Sequence, residues 1–118
     1  MSLVAGKIFF KVAGVQENAK GNFSYNLGLS KREALIGADK VHGYKEVPQV
    51  AFIEGEITDR SDLDLAKLIE LKDTSITLEL ANGKVILLRD AWFAGEGTVT
   101  TDEATIAVRY EGLSGEEV

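Results

Sequence analysis

His42 has the side chain best suited to acid–base chemistry, and it is the sole histidine of the 118 residues. A histidine held between a serine and a carboxylate would suit nucleophilic catalysis, because imidazole titrates near neutral pH. No serine here lies in a strand–turn–helix nucleophile pattern, and His42 is followed by Gly43 in a segment without regular periodicity. We interpret His42 as a loop residue with a local hydrogen bond, and the sequence predicts no catalytic residue.

The sequence has few of the side chains that usually bind metal ions. One histidine and no cysteine are too few for an ordinary zinc site with several nitrogen or sulfur ligands. Asp59, Asp62 and Asp64 offer the oxygen ligands that calcium prefers, but their spacing lacks the glycine and the terminal glutamate of an EF-hand loop. We interpret these carboxylates as favourable charges at the start of a helix and expect no metal site.

Gly95-Glu96-Gly97 is a fragment of the glycine-rich loops that hold phosphate groups. The third glycine is missing, and a β-rich run follows where a phosphate site needs a helix N-terminus. Glycines in such a context more often mark a bulge or a corner of a sheet. The sequence therefore predicts no cofactor.

Charge and hydropathy argue against a membrane-spanning helix and against tight binding to nucleic acid. A hydrophobic fraction of 45% and a charged fraction of 27% are typical of a globular protein, and residues 1–118 are expected to form a single domain. No apolar run approaches the roughly 18 residues of a membrane helix, and no secretory signal is evident. The net charge of −6 disfavours tight binding to nucleic acid, although it is compatible with DNA passing without adhesion.

The charge is uneven along the chain. Residues 1–50 have a balance of +3, residues 51–89 of −3 and residues 90–118 of −6. One interpretation is an ordinary solvated surface. The other is that two ends of the fold present opposite potentials to neighbouring copies of the chain.

β-forming residues dominate the regular elements. Residues 6–13, 22–27 and 47–58 are predicted strands, the last interrupted by Pro48 and Gly55. Residues 91–100 and 105–112 form a predicted hairpin whose inward side chains are Ile106, Val108 and Tyr110. The terminal residues 1–5 and 113–118 are expected to be mobile.

One helix is predicted at residues 61–71. Ser61 followed by Asp64 resembles a capping box, and Leu65, Leu68 and Ile69 form an apolar stripe at helical spacing.

Residues 75–89 contain the clearest local signal, which is Asn82-Gly83 between two β-rich runs. This pair predicts a hairpin with a two-residue turn, because both central positions need positive φ. The resulting register pairs Leu80 with Val85 and Leu78 with Leu87. It places Ile86 and Leu88 on the outer face, where they need a second layer or another subunit. Ile86 and Leu88 are therefore our candidate subunit-interface residues.

Residues 28–44 form the least regular segment, with three glycines and few apolar residues. A connection of this length without regular structure is usually functional or disordered, and we predict a contact loop that is mobile in the free subunit. Its candidate contact residues are Lys31, Arg32, Glu33, Asp39, Lys40, His42 and Tyr44.

Several segments, in their order and spacing, resemble the tail tube proteins of Mu-like contractile-tailed bacteriophages. The similarity extends from about residue 6 to about residue 112. It is carried by Asn26-Leu27-Gly28, Lys31-Arg32-Glu33, Gly43-Tyr44-Lys45-Glu46-Val47-Pro48, Phe52-Ile53-Glu54-Gly55-Glu56-Ile57, Leu80-Ala81-Asn82-Gly83-Lys84 and Asp90-Ala91-Trp92.

This resemblance implies a mainly β fold, an antiparallel sandwich or barrel-like domain with one flanking helix. It also implies six copies in a ring, whose sheets join into a larger barrel, and rings that stack into a tube. The implied partners are the tail sheath, tape measure, baseplate and tail terminator proteins, with DNA passing through the lumen. The implied location is the virion tail, assembled in the host bacterial cytoplasm.

Two alternatives from other classes stay open. A small β-barrel ligand-binding or other interaction module would be a monomer with a closed apolar pocket. A hydrolase of unrecognised type would need His42 or a pair of carboxylates.

Overall fold

The computed structural model describes residues 8–118, so the expected mobile residues 1–5 and the predicted beginning of the first strand lie outside the described residues. The described chain forms, in order, β1 Phe9–Val12, β2 Val15–Glu17, β3 Ala19–Asn26, β4 Lys31–Ile36, β5 Val41–Val47, β6 Ala51–Thr58, α1 Leu65–Ile69, β7 Thr74–Glu79, β8 Val85–Phe93, β9 Val99–Thr100, β10 Thr105–Gly112 and β11 Ser114–Glu117. The helix of this part of the chain is too short to cross a membrane.

Nine strands form one antiparallel sheet that folds over itself into two layers. Its order is β2-β1-β7-β8-β10-β6-β3, with β11 paired to β8 and β9 paired to β10. β8 belongs to both layers, because its first half pairs with β7 and β11 and its end pairs with β10. Asp90 lies between the two halves with a φ of 51°. The predicted mainly β, barrel-like fold with one flanking helix is confirmed.

The core lies between the two layers and consists of alternating side chains from both. The predicted inward residues of β10 are confirmed as buried. Phe23 fills the space above Gly55, where an added Cβ would lie 2.6 Å from the ring, and its centroid is 4.9 Å from that of Phe10. The core residues are Phe10, Val12, Ala51, Ile53, Ile57, Leu68, Ile76, Leu78, Ile86, Leu88, Ala91, Ile106, Val108 and Tyr110.

The β7–β8 hairpin forms as predicted, but its register differs by one residue. Leu78 pairs with Ile86, and the Leu80 N–H donates to the Lys84 carbonyl at 2.8 Å, which leaves a loop of residues 81–83. Gly83 has a φ of 92°, as in a three-residue turn that ends on a left-handed residue.

A shift of one residue moves every side chain of a strand to the opposite face. Ile86 and Leu88 are each 1% exposed in the core of the subunit, so their assignment to a subunit interface was wrong.

The helix is shorter than predicted and begins later. Its N-cap is Asp64, whose Oδ1 accepts a hydrogen bond from the Lys67 N–H at 3.2 Å. Asp64 is as good a cap as Ser61, so residues 61–63 stay outside the helix. α1 also packs closely on Gly97, where a Cβ would lie 2.4 Å from Ile69 Cδ1.

The C-terminal residues form β11, so the expectation of a mobile tail at residues 113–118 was wrong. Ser114 pairs with Arg89 and Glu117 with Ile86. The Nε of Arg89 donates to Glu116 Oε1 at 2.8 Å, which adds a charge-assisted hydrogen bond to the strand pairing.

Candidate functional site

The predicted irregular loop of residues 28–44 is a regular hairpin, β4–β5, which we call the arm (residues 31–47). Its strands pair only with each other in the described structure and form a separate two-stranded sheet. The expectation of irregular structure was therefore wrong. Every residue of the arm strands is exposed or half-buried. The sequence therefore has no buried residues at every second position, which is the pattern by which a strand is recognised.

The arm extends the β3–β6 pair beyond the sheet. Asn26 at the end of β3 is paired with Phe52 near the start of β6. At the base, the Gln49 side chain donates to the Leu29 carbonyl at 2.8 Å, and the Gly28 N–H donates to the Asn26 side chain at 2.8 Å. These bonds fix where the arm leaves the sheet.

The arm has one apolar face. Residues paired across a sheet share a face, so Ala34 lies beside Tyr44, and Ile36 lies beside Val41. The exposed fractions of Ile36, Val41 and Tyr44 are 76%, 62% and 57%. The Arg32 guanidinium carbon lies 5.1 Å from the centre of the Tyr44 ring and borders this face. Such a stripe of exposed apolar groups is typical of a surface that meets another protein.

The opposite face of the arm is mainly charged, although it also includes Leu35, which is paired with Gly43. Glu33 forms ion pairs with Lys31 at 3.3 Å and with Lys45 at 3.9 Å. At the tip, His42 Nε2 lies 3.9 Å from Asp39 Oδ1, and both side chains are exposed. The candidate contact residues thus share one hairpin, but they divide between two faces of different chemistry and the tip.

The outer face of β6 and β10 has an acidic surface. Arg109 donates to Glu54 at 2.8 Å and to Glu111 at 3.0 Å, and its guanidinium lies 4.1 Å above the Phe52 ring. Burial alone would lower the pKa of Arg109, and the hydrogen bonds to the two carboxylates more than offset this, so the pKa is raised. An open cleft of about 420 Å³ beside this group also has Glu56 and Glu96 in its wall.

A second cleft, which we call the far groove, lies between the β1–β2 turn and α1. It has a volume of about 430 Å³, and its apolar wall consists of Val12, Val15, Leu63, Leu68 and Leu71.

An ion pair fixes the rim of the far groove. Glu17 is 6% exposed and accepts from Arg60, which also lies 2.9 Å from Asp62. The hydrogen bond to Glu17 is the main cause of a raised Arg60 pKa.

The three aspartates considered as calcium ligands have structural partners. Asp64 caps α1, Asp62 pairs with Arg60, and Asp59 accepts from the Arg60 N–H at 2.9 Å. Within residues 8–118, no group of three or more His, Asp or Glu side chains is arranged to hold a metal ion.

A family model described as phage tail tube protein matches residues 1–117. The chain belongs to the phage tail tube protein family. The chain is similar to the Mu-like prophage FluMu tail tube protein of Haemophilus influenzae, with 25% identity over 97 residues that cover 82% of this chain and 81% of the relative. The predicted membership of a Mu-like tail tube family is confirmed.

Two solved structures share the fold of this tail tube protein. The tube-terminating cap of the anti-feeding prophage has a TM-score of 0.64 and 8% identity, with 94% of this chain and 87% of that chain covered. The sheath/tube terminator of an extracellular contractile injection system, PVC, in the extended state has a TM-score of 0.63 and 11% identity, with 95% and 93% covered.

The protein is therefore a structural component of a virion tail that assembles into an oligomeric tube with other tail components. Its described surface includes an arm and a groove, as expected of a subunit that recognises other subunits. Sequence reasoning missed the far groove, because its wall combines a β-turn, a loop and a helix that are distant along the chain.

Proposed function

We propose that this tail tube protein closes into hexameric rings, that the rings stack into the inner tube of a contractile tail, and that DNA passes through the lumen during ejection. The observation that carries the proposal is the arm, whose apolar face has no covering group in the described chain. An exposed apolar hairpin is a liability in a monomer, and it becomes useful where a neighbouring subunit covers it.

Ring closure has suitable edges. β3 is the last strand of the sheet path, and the described residues place no strand on its outer side. Eight residues of free backbone can pair with an edge of the next copy in a head-to-tail contact. Six such contacts would join the sheets into one closed barrel and remove the exposed edges.

The acidic surface on β6 and β10 is our candidate for the lumen wall. Glu54, Glu56, Glu96 and Glu111 there outnumber Arg109, so the surface repels phosphate and keeps DNA mobile. The face of the other layer instead has balanced pairs, Lys11 with Glu79 and Arg89 with Glu116, and fits better against a protein.

The remaining partners follow from the role of a tube. We infer a sheath on the outer surface, a tape measure protein in the lumen during assembly, and baseplate and terminator proteins at the two ends. Assembly would take place in the host bacterial cytoplasm. Membership of the tail tube family supports a structural and non-enzymatic protein.

Electron microscopy of the purified protein tests this function. The full chain should form tubes as its concentration is raised, and end-on class averages should show six subunits around a lumen. A protein that stays monomeric in sedimentation at millimolar concentration, and forms no tube at any ionic strength, would contradict the proposal. Tubes with another ring symmetry would overturn the hexamer alone.

A further inference from the structure

We propose that the apolar face of the arm binds in the far groove of a second copy in the adjacent ring. This inference rests on the proposed tube function and identifies the two surfaces that would join one ring to the next. The occupant of the groove is the segment of residues 34–44 from another subunit.

The arm and the far groove lie at opposite ends of the same strands. The arm joins β6 at Ala51, and the chain leaves β6 at Thr58 toward α1. β2, which supplies one side of the groove, leads into β3 at this same end, where the Thr58 N–H donates to the Asn18 carbonyl at 2.8 Å. Seven residue steps of strand separate the two ends by roughly 23 Å.

Two complementary surfaces at opposite ends give a head-to-tail contact that repeats without closing, as axial stacking requires.

The two surfaces match in chemistry. The arm presents Ile36, Val41 and Tyr44, and the groove offers Val15, which is 55% exposed, with leucines behind it. Binding would cover apolar groups that both surfaces leave in water, which favours association.

Charge also favours this pairing. The arm has four basic and three acidic residues, with Lys40 at its exposed tip. At the groove end, residues 59–64 and the turn at 101–104 together have five acidic residues and one basic residue. The two segments are adjacent, because the Asp59 N–H donates to the Ala104 carbonyl at 2.7 Å. An arm with a net charge of +1 that meets an acidic end of the next subunit favours this orientation of the contact.

Cysteine crosslinking in assembled tubes tests the contact, since the natural chain has no cysteine. The variant with Ile36→Cys and Val15→Cys is assembled under reducing conditions and then oxidised. A disulfide requires Cα atoms within about 7 Å, so only a seated arm will react. We expect a denaturing gel ladder that extends beyond the ring size, at least tenfold more intense than the ladder from Ile36→Cys with Leu113→Cys. Leu113 is 76% exposed but lies at the arm-bearing end, next to Gly112, which is paired with Ala51.

The other outcomes separate this contact from the tube function. A ladder that stops at the number of subunits in a ring would place the arm on a neighbour in the same ring and overturn the axial contact. Tubes without crosslinks would overturn the contact and leave the tube function intact. If the cysteine variant does not assemble, hydrogen exchange of wild-type tubes and free subunits decides. Residues 63–71 should gain protection in the tube, and unchanged exchange there would overturn the proposal.

Discussion

Two hairpins of the molecule, β7–β8 and the arm, have similar strand pairing and opposite surroundings. In β7–β8, the four residues Ile76, Leu78, Ile86 and Leu88 share one face and are at most 1% exposed. In the arm, no strand residue is buried, although one face is apolar. The first hairpin has its covering layer within the chain, and residues 8–118 place no covering layer on the second.

This difference assigns a different role to each apolar face. Burial of the β7–β8 face is part of folding, because its free energy is gained when the two layers close. Burial of the arm face is left for assembly, so its free energy becomes available only when subunits meet. A tube subunit needs both, since it must fold alone and also bind to its own copies.

The largest expected effect is a difference in the free energy of unfolding between variants of the two hairpins. Leu88→Ala should lower the free energy of unfolding by about 2–5 kcal/mol, because it leaves a cavity in a closed core. Ile36→Ala in the arm should change it by at most about 0.5 kcal/mol, because Ile36 is 76% exposed. Urea denaturation of dilute subunits measures both. An equal loss in the two variants would mean that the arm is part of the folding unit.

The second prediction concerns the arm, where a substitution should affect tube assembly and leave the stability of the subunit nearly unchanged. Ile36→Ser should raise the concentration needed for tube formation at least tenfold, because burial of an isoleucine side chain contributes about 1.5–3 kcal/mol and 1.4 kcal/mol is a factor of ten. Subunit stability should stay within about 0.5 kcal/mol of the wild type.

Lys45→Ser is the matched control, because Lys45 lies on the charged face of the same hairpin. Light scattering against concentration gives the threshold for each protein. If Lys45→Ser raises the threshold as much as Ile36→Ser, the apolar face is not the contact.

The sequence predicted the fold class, most strands and the buried face of β10 because periodicity reports burial directly. It failed at the β7–β8 turn and at the C-terminal tail, because the local structure there depends on distant residues. The turn at Asn82-Gly83 could have two or three residues, and the core that selects three comes from other strands. β11 exists because β8 offers an edge to Ser114.

The candidate site was predicted only in part. Residues 28–44 were predicted as a contact loop from their composition, and their contact role stays a prediction. Their division into an apolar and a charged face needed the register, because no buried residue marks the period of β4 or β5.

A smaller effect concerns charge in the arm. Replacing Lys31 and Arg32 with glutamate should slow tube growth roughly two- to fivefold, since exposed pairs contribute about 0–1 kcal/mol each. Raised salt should slow the wild type in the same direction, because ions screen exposed charges over about 8 Å at physiological ionic strength. Turbidity after a concentration jump gives the growth rate.

The control with matched charge is Lys11→Glu with Lys84→Glu. These lysines pair with Glu79 and Glu117 in the layer of β7 and β8. If both double variants grow at the wild-type rate at every salt concentration, apolar contact alone drives stacking and the uneven charge is ordinary surface.

The smallest expected effect concerns a tyrosine of the core, Tyr110. Its ring is fully buried, packed edge-on to Phe93 at 5.3 Å, and its hydroxyl has no hydrogen-bond partner among the described residues. Burial, with a smaller effect from Glu17, raises the pKa of this phenol above its ordinary value of 10.0. The folded state therefore keeps the proton at a pH where the unfolded state releases it. Stability from this group is complete below pH 10 and is lost as the pH rises from there.

Tyr110→Phe should be neutral or slightly stabilising at pH 7, within about 1 kcal/mol, because it removes an unpaired polar group. It should also reduce the loss of stability above pH 10. Tyr44→Phe removes an exposed hydroxyl from the arm and controls for the loss of a phenol as such. Urea denaturation at pH 7 and at several values above pH 10 gives the comparison. A Tyr110→Phe variant that loses stability as steeply as the wild type would show that other groups cause the alkaline loss.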